Sequence, residues 1–223
     1  MERLFGRFRI YEDYLDIRPK DRVLSVGSKG GFLERRIADK ADAVYAVDID
    51  TSEIESKAGK GMRINISKGD ITKGLDFPDH SFDKIIFTEV MEHLPKGAEA
   101  MALREIRRLL KDDGSLVFST PNDHLLYTLL DPIWWLGRHE HYSVRGVGDL
   151  LSSAGFETSK TFIGGGLIQA LTTPLFYLIC LFGMHDAFGD GFFERALDGE
   201  YRKPGFCTII MRAKPREDEA NPR

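Results

Sequence analysis

The sequence predicts an α/β protein built on a doubly wound, mostly parallel sheet. Short apolar runs alternate with amphipathic helical stretches along most of the chain, and the first run passes through a glycine-rich turn into a helix. Length agrees, since 223 residues suffice for one such core and are few for two.

Residues 1–22 are expected as an N-terminal helical segment, because aromatics and charges mix there as on one amphipathic helix. Residues 23–27 are a short apolar run of the buried-strand type. A helix follows over about 30–40, with Phe32, Leu33 and Ile37 facing inward. Residues 43–48 form a second strand, 63–66 a shorter third and 82–87 a fourth. Ala98, Met101, Ala102, Ile106, Leu109 and Leu110 then mark one face of a strong helix. Asp113-Gly114 is read as its stop, and residues 115–119 as the fifth strand. Another helix starts at Ser143 and ends at Gly155, with Val147, Leu150, Leu151 and Ala154 inward. Residues 156–162 and 206–211 complete the strands. The expected organisation is one domain over 23–213, with an apolar helical insertion at about 163–203. The polar tail, 214–223, is expected to be disordered.

Composition narrows the function. A net charge of −4 excludes a generally basic nucleic-acid binder. Both cysteines, Cys180 and Cys207, lie in apolar runs and are expected as buried reduced thiols. The first residues carry no apolar core of a signal peptide, so a cytoplasmic protein is expected.

In sheets of this kind ligands sit beyond the carboxyl ends of the strands, near the switch in strand order. The turn Gly27-Ser28-Lys29-Gly30-Gly31 lies at such an end. About twenty residues on, the second strand ends in Asp48, placed to accept hydrogen bonds from a ribose diol. Together they point to a nucleoside ligand.

Further motifs sharpen this: Gly69-Asp70-Ile71, then Leu75-Asp76-Phe77-Pro78-Asp79-His80-Ser81-Phe82-Asp83, then Thr88-Glu89-Val90-Met91-Glu92-His93-Leu94. Leu110-Lys111-Asp112-Asp113-Gly114, Ser119-Thr120-Pro121-Asn122 and His141-Tyr142-Ser143 follow in order. In these motifs the chain resembles class I S-adenosylmethionine-dependent methyltransferases, most of all the small-molecule group that includes quinone O-methyltransferases. The resemblance spans about residues 23–162, with a final strand at 206–211. It implies a Rossmann-like, seven-stranded sheet whose last strand is antiparallel, S-adenosylmethionine as cofactor and S-adenosylhomocysteine as product. It also implies residue roles. Gly27, Ser28 and Gly31 would admit the methionine part of the cofactor; Asp48 would hold the ribose hydroxyls, with Ile49 packed on adenine. Asp70 and the Ile71 amide would read the adenine edge, and Glu89 would lie near the amino end.

The chain departs from the family at two positions: Ser25 stands where an acid is usual, and Lys29 where a glycine is usual. Two readings follow, a methyltransferase acting on a small apolar or aromatic acceptor, with O-methylation favoured, and a non-catalytic binding protein that keeps the fold. For a hydroxyl acceptor, His93 is the best candidate base in the sequence. Glu89, Glu92 and His93 fall at i, i+3 and i+4, so on a helix they could also hold a divalent metal. Tyr127 and Trp134 lie in a region where this family usually contacts substrate, and His141 could reach the same mouth from the following helix. No charge occurs over residues 162–184, which raises the question of a membrane span. Three consecutive glycines, Pro174 and the return of the chain to the sheet argue against one. That segment is left as a roof over an apolar pocket, a peripheral contact with membrane lipid, or a dimer contact or ordinary core. The sequence leaves the oligomeric state open.

Overall fold

Alternation of side chains along each strand builds two cores at once, one on each face of the sheet. A computed structural model of the chain describes residues 5–58, 61–137, 139–182 and 195–216. Its strands are β1 (Arg22–Val26), β2 (Ala43–Asp48), β3 (Ile64–Lys68), β4 (Phe82–Thr88), β5 (Leu110–Pro121), β6 (Phe156–Gly164) and β7 (Thr208–Pro215). Leu24, Ile85, Phe87, Leu116 and Phe118 point to one face, while their neighbours Val23, Ile86 and Val117 point to the other. The first face is covered by α4 (Glu99–Leu109) and α7 (Val144–Ser153), through Leu103, Ile106, Val147 and Leu151. The second is covered by α1 (Gly6–Leu15) and α2 (Phe32–Ile37), through Tyr11, Leu15, Leu33 and Ile37.

The seven strands run in the order β3-β2-β1-β4-β5-β7-β6. The first five are parallel, and β7 lies antiparallel between β5 and β6. This is the Rossmann-like architecture expected from the sequence. The chain winds outward from β1 to β3 and then crosses back to place β4 on the free side of β1. A crevice therefore opens beyond the ends of β1 and β4.

Several boundaries differ from the sequence reading, each for a physical reason. The fifth strand begins at Leu110, directly after α4, because buried Leu110 pairs with Phe82 before a register shift brings Lys84 opposite Ser115. Asp113-Gly114 thus lies within an irregular strand and does not stop the helix. Lys214 and Pro215 belong to β7, paired with Glu157 and Phe156, although they were expected in the tail. The Arg216 amide donates to the Gly155 carbonyl at 2.8 Å, and residues 217–223 of the expected tail lie outside the described residues.

In the apolar insertion, α8 (Leu167–Leu181) carries Pro174 internally. Residues 183–194 of the insertion lie outside the described residues. Among the described residues no helix is long and apolar enough to cross a membrane. Cys207 is buried as a free thiol, and the side chain of Cys180 lies outside the description.

Phe87 is fully buried in β4, beside β1 at the switch point. Phe87→Ala is expected to lower the unfolding free energy by about 3–5 kcal/mol, read from urea denaturation. A loss under about 1 kcal/mol would contradict the packing described.

Candidate functional site

Three strand ends finish at one level, because Val26 of β1 sits opposite Val47 of β2 on one side and Phe87 of β4 on the other. Beyond them lies a cavity of about 280 Å³, lined by Gly27, Lys29, Asp48, Ile49, Asp70, Ile71, Glu89, Val90 and His93 among others. Of the residues expected to meet the cofactor, all but Ser28 and Gly31 line it.

The turn after β1 is shaped by its neighbours. Gly27 adopts φ 78, and a Cβ there would stand 2.2 Å from Val90 Cγ2, so only glycine lets the strand end approach the turn after β4. Lys29 keeps a left-handed φ of 43 although it is not glycine, a conformation that costs of order 1 kcal/mol for a side-chain-bearing residue. Its amide donates to Asp48 Oδ2 at 2.7 Å, which holds the turn against the end of β2. Asp48 Oδ1 accepts from the Asp50 amide at 3.1 Å. A carboxylate offers about four lone-pair sites, so capacity remains for a diol.

On the far wall, Asp70 accepts from the Thr72 hydroxyl and amide at 2.6 and 3.0 Å and faces Lys73 Nζ at 2.9 Å. Those bonds, the Thr72 hydroxyl foremost, pull its pKa down to about 2. The following loop is pinned from α4: Glu105 accepts from the Leu75 amide at 2.8 Å, and Arg108 donates to the Leu75 and Phe77 carbonyls.

Glu89 sits at the end of β4 with φ 55, a second strained backbone at the cavity. Its Oε2 accepts from Arg7 of α1 at 3.0 Å and its Oε1 from the Ser119 hydroxyl at 2.7 Å. Since Ser119 spends its proton on Glu89, Tyr11 donates to Ser119 Oγ at 2.8 Å. Arg7 and Tyr11, one turn apart on α1, thus close the site from the N-terminal helix. The sequence reading gave that helix no role, although the i, i+4 spacing of the two residues was visible.

His93 ends a short 3-10 helix, Met91–His93. Its ring lines the cavity and stands exposed, with neighbouring protein displacing only part of its water. That desolvation, and the His139 ring beside it, lower its pKa below the ordinary histidine value, while Glu89 pulls the other way. Glu92 is buried and accepts from the Thr120 hydroxyl at 3.3 Å. Burial first, and the Glu89 charge second, raise its pKa well above the usual carboxylate range. The left-handed turn at Glu89 and the tight 3-10 helix break the helical face assumed for Glu89, Glu92 and His93. Among the described residues the cluster with converging ligand atoms is a different one, Asp131, His139 and His141.

Tyr127, Trp134 and His141 do not line the cavity. They gather behind His93: Tyr127 stacks on His141 at 5.5 Å, and Trp134 lies 6.5 Å from the same ring. His139, absent from the sequence reading, connects the two groups, its ring 4.5 Å from that of His93.

Ser25 lies at the buried heart of β1 and donates to Glu34 Oε1 of α2 at 2.5 Å. The acid missing from the strand is therefore supplied next to it by the helix. Burial raises the Glu34 pKa, and the Ser25 bond opposes that rise.

The cavity fits a nucleoside cofactor bearing a cation. Ile49 stands 68% exposed at its wall, an apolar surface suited to a flat ring. The Ser28 hydroxyl is buried in the turn without a hydrogen-bond partner among the described residues, a cost that a polar ligand group would relieve. Asp48, Asp70 and Glu89 supply carboxylates. Asp48 would hold the ribose, Ile49 and the Ile71 edge the adenine, and the Gly27–Gly31 turn the amino-acid end.

A switch-point cavity with a glycine turn on one strand end and a carboxylate on the next defines a nucleoside-binding α/β protein. Comparison with known proteins carries this further. The family described as methyltransferase domain matches residues 24–118. A probable S-adenosylmethionine-dependent methyltransferase of Mycolicibacterium smegmatis is 30% identical over 154 residues, 66% of this chain and 57% of that protein. The ubiquinone biosynthesis O-methyltransferase of Neisseria meningitidis serogroup C is 30% identical over 122 residues, 52% of this chain and 50% of that protein. The chain thus spans a little over half the length of the first and half of the second. The crystal structure of Burkholderia thailandensis 1,6-didemethyltoxoflavin-N1-methyltransferase, with its substrate and S-adenosylhomocysteine bound, shares the fold. It has a TM-score of 0.63 at 16% identity, over 94% of this chain and 76% of that one. By these matches the chain is similar to S-adenosylmethionine-dependent methyltransferases over its N-terminal half, and it shares their fold.

Asp48→Ala is expected to weaken S-adenosylhomocysteine binding about tenfold in calorimetry, since a charged acceptor is removed from two hydroxyls. Unchanged affinity would misplace the ribose. Glu92 gives a pH prediction. Its raised pKa means that its contribution to stability is complete below about pH 4.5 and is lost as pH rises through the folded-state value. Glu92→Gln, which mimics the protonated form, should therefore keep the melting temperature at pH 7 within a few degrees of the parent or raise it. A loss of about 10 °C would show that the carboxylate is needed charged.

Proposed function

We propose that the chain transfers the methyl group of S-adenosylmethionine to a small, apolar or aromatic acceptor oxygen, working in the cytoplasm and at the edge of a membrane. The observation that carries this is the cavity, lined by Asp48, Ile49, Asp70 and Glu89 together with His93. The bound cofactor supplies an already activated electrophilic methyl on a sulfonium. Little covalent chemistry is then left for the protein beyond positioning and exclusion of water. His93, neutral at physiological pH because its pKa is lowered, would take the acceptor's proton at a ring nitrogen. Arg7 and Tyr11 would fix Glu89 and keep α1 closed over the site.

The apolar acceptor is supported by the surface near the site. Ile168, Leu171, Leu175, Leu178 and Phe182 stand exposed at alternating steps of three and four along and just beyond α8, an apolar stripe on one side of the helix. Leu125 and Leu129 of α5 (Leu125–Leu130), which packs on α8, extend it. Such a surface suits an acceptor with a lipid-like tail drawn from a membrane interface.

A second reading, a binding protein without turnover, is favoured by Lys29, whose ammonium adds positive charge to a cavity meant for a sulfonium.

The test is to incubate the full chain with S-adenosylmethionine and a panel of prenylated quinols, simple phenols and lipid vesicles, and to assay S-adenosylhomocysteine. Product with an apolar hydroxyl acceptor is expected. His93→Ala should then lower kcat about 100-fold or more while cofactor affinity stays within twofold. The parent rate should rise with pH through an inflection below the ordinary histidine value and be flat above it. Micromolar cofactor binding without product from any acceptor would favour the binding-protein reading.

A further inference from the structure

Asp131, His139 and His141 lie behind the cofactor cavity and play no part in the chemistry above. Asp131 begins α6 (Pro132–Trp135), and both histidines come from the segment that follows it, before α7. One atom from each converges within 4.8 Å of the others. Asp131 Oδ2 lies 3.0 Å from His139 Nδ1 and 2.9 Å from His141 Nε2. All three side chains are buried, with 1%, 6% and 2% of their surface exposed.

From this geometry we propose that Asp131, His139 and His141 form a binding site for a divalent transition-metal ion, with zinc the best match. Two imidazoles and one carboxylate are a donor set that suits zinc and its first-row neighbours. Ligands about 2.0–2.2 Å from such an ion stand roughly 3–3.5 Å from one another, close to the spacings of Oδ2 to the two nitrogens.

The outer bonds that orient metal ligands are already in place. Asp131 Oδ1 accepts from the Ile133 amide at 2.9 Å, which turns Oδ2 toward the histidines. His141 Nδ1 lies 2.8 Å from Thr128 Oγ1 of α5. On binding, each imidazole carries its proton on the nitrogen away from the ion. For His141 that nitrogen is Nδ1, which donates to Thr128. Both histidines bind as neutral ligands.

The ion would fasten the Leu125–Trp135 region, rich in apolar and aromatic residues, to the segment that enters α7. It would also fix the His139 ring, 4.5 Å from His93. This site is independent of the methyl-transfer reading, and the test reads metal directly.

The metal-stripped full chain is titrated with zinc sulfate by calorimetry and with cobalt(II) chloride by visible absorption. The expected result is one equivalent bound below micromolar concentration, with cobalt d–d bands of low-coordinate intensity. His139→Ala and His141→Ala should each weaken zinc at least 100-fold, and Thr128→Ala about tenfold, while S-adenosylhomocysteine binding confirms that each variant is folded. Absence of zinc uptake and of cobalt bands in the parent protein would overturn the proposal without recourse to any variant. So would uptake unchanged in both folded histidine variants, which would put the ion elsewhere.

Discussion

The register of β1 against both neighbours is the constraint on which the site depends. Val26 is level with Val47 and with Phe87, so the residues that follow each strand emerge side by side. Gly27, Asp48 and Glu89 are thereby assembled from three distant parts of the chain without any loop having to search for its partner. A slip of one residue in either pairing would turn the inward faces outward, which the two fully packed cores forbid. The site is held by the same packing that holds the fold.

Strain is concentrated where that assembly meets solvent. Lys29 and Glu89, two of the four non-glycine residues with positive φ among the described residues, both line the cavity. Each is held by bonds from another element: the Lys29 amide by Asp48, and the Glu89 side chain by Arg7 and Ser119. The carboxylates therefore do two things at once. They shape the backbone of the cavity, and they give it the negative character that suits a cationic cofactor.

The pair Ser25–Glu34 shows how a family feature can change its address. An acid on β1 would stand in the buried strand itself; here the carboxyl arrives from α2 and rests on the Ser25 hydroxyl. Buried as it is, Glu34 leans toward its protonated form. Glu92, also buried, follows the same logic.

The periodicity of apolar residues determined the number of the strands and their succession along the chain, the two covering layers and the place of the glycine turn and Asp48, because these follow from local alternation and spacing. The ends of β5 and β7 escaped it: Leu110 and Pro215 are extended only because partner strands lie beside them. The role of α1 was likewise hidden, since Arg7 and Glu89 are brought together by packing across the sheet. The grouping of Asp131 with His139 and His141 required tertiary structure for a different reason. The three are near in sequence, but no local rule turns two imidazoles and a carboxylate inward to one point. Burial beneath the surrounding aromatic side chains does so, by denying each of them water and leaving one another, Thr128 and the Ile133 amide as partners.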